Sequence, residues 1–221
     1  TMAKALNAGL RRAMEADDRV VLFGEDIGRL GGVFRITDGL QKDFGEHRVI
    51  DAPLAESGIV GTAVGMAMRG YRPVLEIQFD GFVYPAFDQI VSQVAKMHRR
   101  TEGTVPMPIV IRIPYGGGIG AVEHHSESPE AYFAHTRRYW DKGDVDEQVD
   151  ALDLLQVPDP WRARVVRTGS DVTVACYGPM VRTCLEAAEA STDASLEVID
   201  LQSLSPLDLD TVNASVERTG R

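Results

Sequence analysis

The chain has 221 residues, 44% of them hydrophobic and 25% charged, with a formal net charge of −10 and a pI near 5.0. That composition excludes a disordered chain and leaves room for one large domain or one and a half. The acidic balance argues against nucleic acid or an anionic membrane as the main partner, and the apolar stretches are too short and glycine-interrupted to span a bilayer. With no signal-peptide pattern at its start, the expected location is intracellular, in the cytoplasm of a bacterium or the matrix of a mitochondrion.

In chain order, a helix is predicted over 2–16, with Ala3, Leu6, Leu10, Ala13 and Met14 at helical spacing, and then a buried strand in "RVVLFGED" (19–26). A glycine loop leads into a helix in "ITDGLQKDFG" and a short strand in "HRVIDAP" (47–53). The segment from Ser57 to Met68 carries Gly58, Gly61 and Gly65 among apolar residues and has no polar face, so it reads as a buried helix packed closely against another backbone or a ligand. Next come a strand in "RPVLEIQF" (72–79), a long helix over 84–100 with Pro85 in its first turn, and a strand in "MPIVIRIPY" (107–115). Alternating strands and helices predict an α/β fold with a mainly parallel sheet covered on both faces.

After Thr136 the sequence becomes charged and loses its period, so 137–161 reads as a linker between a first domain, 1–136, and a second unit, 162–221. The second unit is predicted to hold two strands, "DVTVACYG" and "SLEVIDLQSLSP", each followed by a helix, which is too little for an independent core. The polypeptide made in the cell is accordingly expected to be longer than 221 residues, since Thr1 precedes Met2, Thr136 runs straight into Arg137, and Arg221 ends the second unit early. Cys176 and Cys184 suit reduced core thiols better than a disulfide or a metal site.

Several stretches could carry chemistry. Glu56, at the head of the glycine-rich helix, is either a helix-dipole partner or a buried acid tuned for proton transfer. Glu76, Gln78 and Phe82 lie around the end of one strand and Glu25 and Asp26 at the end of another, the positions where open parallel sheets bind ligands. Phe87 reads as core. "EHHSESPEAYFAH" (123–135) has three histidines at no common zinc spacing, and "PYGGGIG" (114–120) is a weak phosphate signal that reads better as a tight loop.

Taken in order, "FGEDIG", "DAPLAESGIVGTAVG", "EIQFDGFVYPAFDQI", "RIPYGGGIGAVEHHSESPEAYFAHT" and "VIDLQSLSPLDLDT" resemble the beta subunit of the thiamine-diphosphate-dependent decarboxylating component of 2-oxo acid dehydrogenase complexes. The resemblance implies a pyrimidine-binding α/β domain followed by a partial transketolase-C-like domain. It also implies oxidative decarboxylation of a 2-oxo acid with acyl transfer to the lipoyl group of an acyltransferase component. "EIQFDGFVYPAFDQI" looks more like the branched-chain subfamily than the pyruvate type. By the same resemblance Glu56 contacts the cofactor's aminopyrimidine and shares a proton with its ring, so that the 4′-amino group can act as an internal base. Leu54 and Gln78 line that pocket, Phe82 packs on the ring, His125 faces substrate and the incoming lipoyl group, and Glu25 matches an acid near a channel between paired sites. His124 has no matched role.

Thiamine enzymes hold the diphosphate through magnesium on a Gly-Asp-Gly segment with a downstream Asn, which "KGDVDE" (142–147) does not provide. The metal half of the site is therefore expected on a separate alpha subunit, in a two-alpha, two-beta assembly. Family members also continue after the position of Thr136 with a further strand and helix. Two rivals are a transketolase-like enzyme, which would carry its diphosphate domain on the same chain, and a non-catalytic scaffold subunit, which need not keep Glu56 and His125.

Overall fold

The computed structural model describes residues 1–116, 120–135, 159, 161–178 and 180–220, and the chain divides into two compact units, Thr1–Tyr139 and Trp140–Arg221. Most of the expected linker, including "KGDVDE", lies outside the described residues.

In the first unit, α1 (Met2–Ala16) begins where the Thr1 hydroxyl accepts the Lys4 N–H, and it delivers Met14 to the core. Strands β1 (Val20–Gly24), β2 (Val49–Asp51), β3 (Arg72–Glu76) and β4 (Val110–Arg112) form one sheet in the order β2-β1-β3-β4, every pair parallel. Alternation along the strands splits the core between the two faces. Val20 and Leu22 pack with Val49, Met14 and Leu40 under α1 and α2 (Leu40–Phe44), whereas Phe23, Leu75 and Ile111 pack with Ile59, Val60 and Ala63 of α3 (Glu56–Met68). Helices thus cover both faces, as the strand and helix alternation predicts.

Three elements differ from expectation. The helix expected in "ITDGLQKDFG" starts only at Leu40, because Gly39 is left-handed at φ 79° and the buried Thr37 hydroxyl donates to the Ile27 carbonyl at 2.7 Å. The long helix over 84–100 is instead a 3₁₀ turn (Asp80–Ala86), a π turn (Gln89–Val94) and α4 (Met97–Arg100). Pro85 has no N–H to donate, and the Ala95 N–H reaches the Ile90 carbonyl one residue farther than in an α-helix. Helix α3 buries only Glu56, Ile59, Val60, Ala63 and Ala67; Gly58, Gly61 and Gly65 face outward, and no described backbone approaches them closely.

Among its described residues the second unit has three strands, where two were expected. β5 (Arg164–Arg167) pairs antiparallel with β7 (Leu196–Asp200), which pairs parallel with β6 (Val172–Cys176). Val198, Cys176 and Ala188 form an apolar cluster under α6 (Met180–Ala190), and both cysteines are free thiols. Beneath α7 (Leu209–Thr219), buried Glu197 accepts from Ser215 and Arg218, and Thr173 joins Ser215 at 2.7 Å and Thr219 at 2.8 Å.

Candidate active site

The sheet order fixes where a ligand can bind. From β1 the chain moves outward to β2, then returns to place β3 on the other side of β1, so the carboxyl ends of β1 and β3 flank the topological switch point. Glu25 and Asp26 follow β1 there and Gln78 follows β3. α3 points its N-terminus at the same place, with Glu56 in its first turn and no side-chain cap on Ala55.

Two buried carboxylates meet at this point. Glu25 is 7% exposed and Glu56 8%. Glu25 accepts the Ala55 N–H, while its Oε1 is buried without any hydrogen-bond partner. Burial first, then the neighbouring charge of Glu56, push the Glu25 carboxyl above the ordinary range, against a smaller lowering by the Ala55 N–H. Asp26 sits in the left-handed region at φ 57°, and its carboxylate accepts from Gln78 Nε2 at 3.1 Å. Glu76, one of the sequence candidates, is instead paired with Arg112 inside the sheet.

A second group is a cluster of rings on the turn after β3 and the histidine loop. Phe82 meets His125 edge-on at 5.3 Å and stacks on His124 at 6.0 Å; Phe79 meets His125 at 4.4 Å and Phe82 at 5.6 Å. The Nδ1 of His125 is buried with no partner. Buried polar atoms are nearly always satisfied, so the orphaned ring nitrogen of His125 and the orphaned carboxylate oxygen of Glu25 each mark a candidate point of contact for a ligand. Phe87, expected in the core, packs on Tyr132 and Phe133 of α5 (Glu130–His135).

The structure therefore gathers Glu25 and Glu56 in one group and Phe82 and His125 in another, with Gln78 next to Phe79 in the chain. Leu54 precedes α3 and is 83% exposed, touching neither group closely enough to be buried by it. Sequence reasoning placed Asp26 at a strand end without a specific role, missed Phe79 and Asp80, and gave His124 no role although its ring lies 4.2 Å from that of His125. Asp80 and Gly81 carry only an ordinary turn signal, Asp-Gly, at a strand end. Among the described residues no group of three or more His, Cys, Asp and Glu could hold a metal ion, and no helix is long and apolar enough to cross a membrane.

A parallel sheet with acids at its switch point, followed by a smaller unit with a mixed sheet, defines a transketolase-like protein. The family models agree: "Transketolase, pyrimidine binding domain" matches residues 1–170 and "Transketolase, C-terminal domain" residues 162–221. The chain is 52% identical to "Pyruvate dehydrogenase E1 component subunit beta" of Leifsonia xyli subsp. xyli, over all of this chain and 74% of that one. It is 48% identical to "3-methyl-2-oxobutanoate dehydrogenase subunit beta" of Mycobacterium tuberculosis, over all of this chain and 72% of that one. Among solved structures, a "Split gene transketolase, inactive beta4 tetramer" shares the fold, with a TM-score of 0.61 at 18% identity over 99% of this chain and 77% of that one. This chain belongs to the family of beta subunits of 2-oxo acid dehydrogenases. The two curated alignments run over 257 and 260 positions although the chain has 221 residues, so those relatives carry internal positions that it lacks.

Proposed function

We propose that the chain supplies the aminopyrimidine half of a thiamine diphosphate site and, with an alpha subunit, decarboxylates a 2-oxo acid oxidatively and passes the acyl group to a lipoyl-bearing acyltransferase. Branched-chain 2-oxo acids are the favoured substrates; the 52% identity to a pyruvate-type subunit makes pyruvate the second reading. The observation that carries the proposal is the buried pair Glu25 and Glu56 at the switch point, with an orphaned oxygen and, among the described residues, no basic side chain paired with it.

That donor set fits an aminopyrimidine. Glu56 would hold a proton at a ring nitrogen, where its burial keeps water from competing for the hydrogen bond. Gln78 and Phe82 would orient the ring by an amide contact and by apolar packing, and Leu54 would close its exposed side. Thiamine diphosphate, when bound, supplies the carbon nucleophile and electron sink that decarboxylation of a 2-oxo acid requires. Glu25, held above the ordinary carboxylate range by burial and then by the charge of Glu56, keeps its proton to higher pH than a free glutamate and would exchange it beside Glu56. His125 would donate a hydrogen bond or a proton to the accepting dithiolane. Magnesium and the diphosphate belong to the alpha subunit in this reading, and the outward glycine face of α3 leaves room for a partner's backbone to approach.

The test uses the chain co-purified with its alpha partner, with carbon dioxide release measured from 3-methyl-2-oxobutanoate and from pyruvate with an artificial electron acceptor. Turnover dependent on thiamine diphosphate, and lost in Glu56→Gln while the complex still assembles, is the expected result. Near-normal turnover in Glu56→Gln with cofactor bound would overturn the assignment. The larger kcat/KM assigns the substrate.

A further inference from the structure

The loop that carries His124 and His125 is tied to the turn after β3 at three points. Asp80, 1% exposed, accepts the Gly81 N–H at 2.9 Å through one carboxylate oxygen and the Gly116 N–H at 3.1 Å through the other. The Gly116 N–H is shared with the Glu127 carbonyl at 2.8 Å, so the same contact closes the base of the loop from 116 to 127. Gly81 lies against the His124 main chain; a Cβ there would stand 2.5 Å from the His124 carbonyl oxygen. Tyr84 donates its hydroxyl to the Glu127 carboxylate.

The bond to Gly81 is a local turn contact and would form in any Asp-Gly turn. The bond to Gly116 is different, because it joins segments 36 residues apart and nothing local requires it. A buried carboxylate that accepts two backbone N–H groups makes charge-assisted bonds, stronger and more directional than neutral ones. Its described hydrogen bonds are to those two amides, and the Tyr84 hydroxyl, itself bonded to Glu127, lies within reach of its charge.

We propose that Asp80 is a positioning residue that sets where His125 stands, by fastening the base of the histidine loop to the turn that presents Phe79 and Phe82. The proposal rests on the reading of His125 as the group that meets the lipoyl acceptor. An asparagine at 80 keeps one acceptor oxygen but turns an NH₂ toward the other amide, which leaves a buried donor facing a donor. The loop base then loosens, and His125 loses its fixed distance from the ring cluster.

The experiment compares Asp80→Asn, His125→Ala and the double variant in the complex with the alpha partner. Three readouts are taken: turnover with an artificial acceptor, turnover with a lipoyl domain, and hydrogen exchange of peptides spanning 120–127. Asp80→Asn is expected to lower lipoyl-dependent turnover about 10-fold to 100-fold, with a smaller loss on the artificial acceptor. In the His125→Ala background it should add almost nothing, since both changes act through one group. Exchange over 120–127 should rise while that of α3 stays as it was. Unchanged exchange overturns the proposal, and so does a loss that adds fully to that of His125→Ala, because the aspartate then acts as general support. If Asp80→Asn fails to accumulate, Asp80→Glu takes its place, because the longer side chain keeps the charge but cannot hold both amides in the same geometry, and exchange over 120–127 must still rise for the proposal to stand. Should the wild-type complex turn over no 2-oxo acid, the functional reading falls, and the exchange data alone decide whether Asp80 holds the loop.

Discussion

Glu25 should weaken the protein that contains it, and Glu25→Gln measures by how much. Its Oε1 has no partner, its carboxylate faces the charge of Glu56, and the Ala55 N–H compensates only in part. A buried acceptor left unsatisfied costs about 1–3 kcal/mol. Glutamine keeps an oxygen for Ala55 and offers its NH₂ to the Glu56 carboxylate, so the net gain near neutral pH is about 1–2 kcal/mol. At about 2–4 °C per kcal/mol for a chain of this size, Tm rises by several degrees. The gain has a sign in pH. Because the folded-state carboxyl titrates above the ordinary range, the native protein is free of this penalty below the ordinary glutamate range and acquires it as pH rises through the raised value. Scanning calorimetry of wild type and Glu25→Gln at pH 7.5, 6.0 and 4.5 should show a difference that shrinks toward zero in acid. A variant less stable than wild type at pH 7.5, or a difference independent of pH, would refute the account of two crowded carboxylates.

Glu56→Gln should lower decarboxylation by about 10²-fold to 10⁴-fold, the usual range for a positioned acid, with subunit assembly unchanged by gel filtration. Gly81→Ala should destabilise by about 1–3 kcal/mol and reduce lipoyl-dependent turnover, because the His124 backbone must move to admit the methyl; unaltered kinetics would show that the loop yields freely. Ser215→Ala should cost about 1–3 kcal/mol in urea unfolding by taking a donor from buried Glu197. Hydrogen bonding by Ser215, then Arg218, holds Glu197 below the ordinary range against the opposing effect of burial. Its contribution is thus complete above that range and fades as pH falls through the lowered value, so the Ser215→Ala deficit should narrow in acid.

Much of the first unit is legible in the sequence because its elements have clean periods. α1 and the strands are found by spacing alone, and the glycines after β1 and before α2 mark the loop between them. The segment from 80 to 100 is not, since 3₁₀, α and π turns carry similar apolar patterns and only Pro85 signals irregularity. β5 was missed because "RVVR" is four residues long at an edge, with no alternation to distinguish it. α3 shows a subtler failure: an all-apolar segment predicts burial on every side, whereas the described residues of this chain cover only one. For the site, Glu56, Gln78 and Phe82 stand out by their place at a helix head and a strand end, whereas their roles and the choice of His125 among the histidines came from the resemblance. The meeting of Glu25 with Glu56 follows from strand order, and the clamp at Asp80 from a contact across 36 residues, neither of which periodicity can reveal.

The two units each bury a glutamate, and the contrast between them separates structure from chemistry. Glu197 is enclosed by Ser215 and Arg218 and pulled toward its ionised form, so it exchanges no proton in the range where a cell operates. A group so completely answered by its own chain has nothing left to offer a ligand. Glu25 is almost as deeply buried but is answered by one amide, opposed by Glu56 and pushed toward its protonated form. Packing gains nothing from that arrangement, since an apolar or amide residue of similar size would be more stable there. A carboxyl moved toward neutrality at the switch point of a parallel sheet is, however, what proton transfer to and from a bound ring requires. On the function proposed above, that incompleteness in the first unit is what a bound cofactor ring would answer.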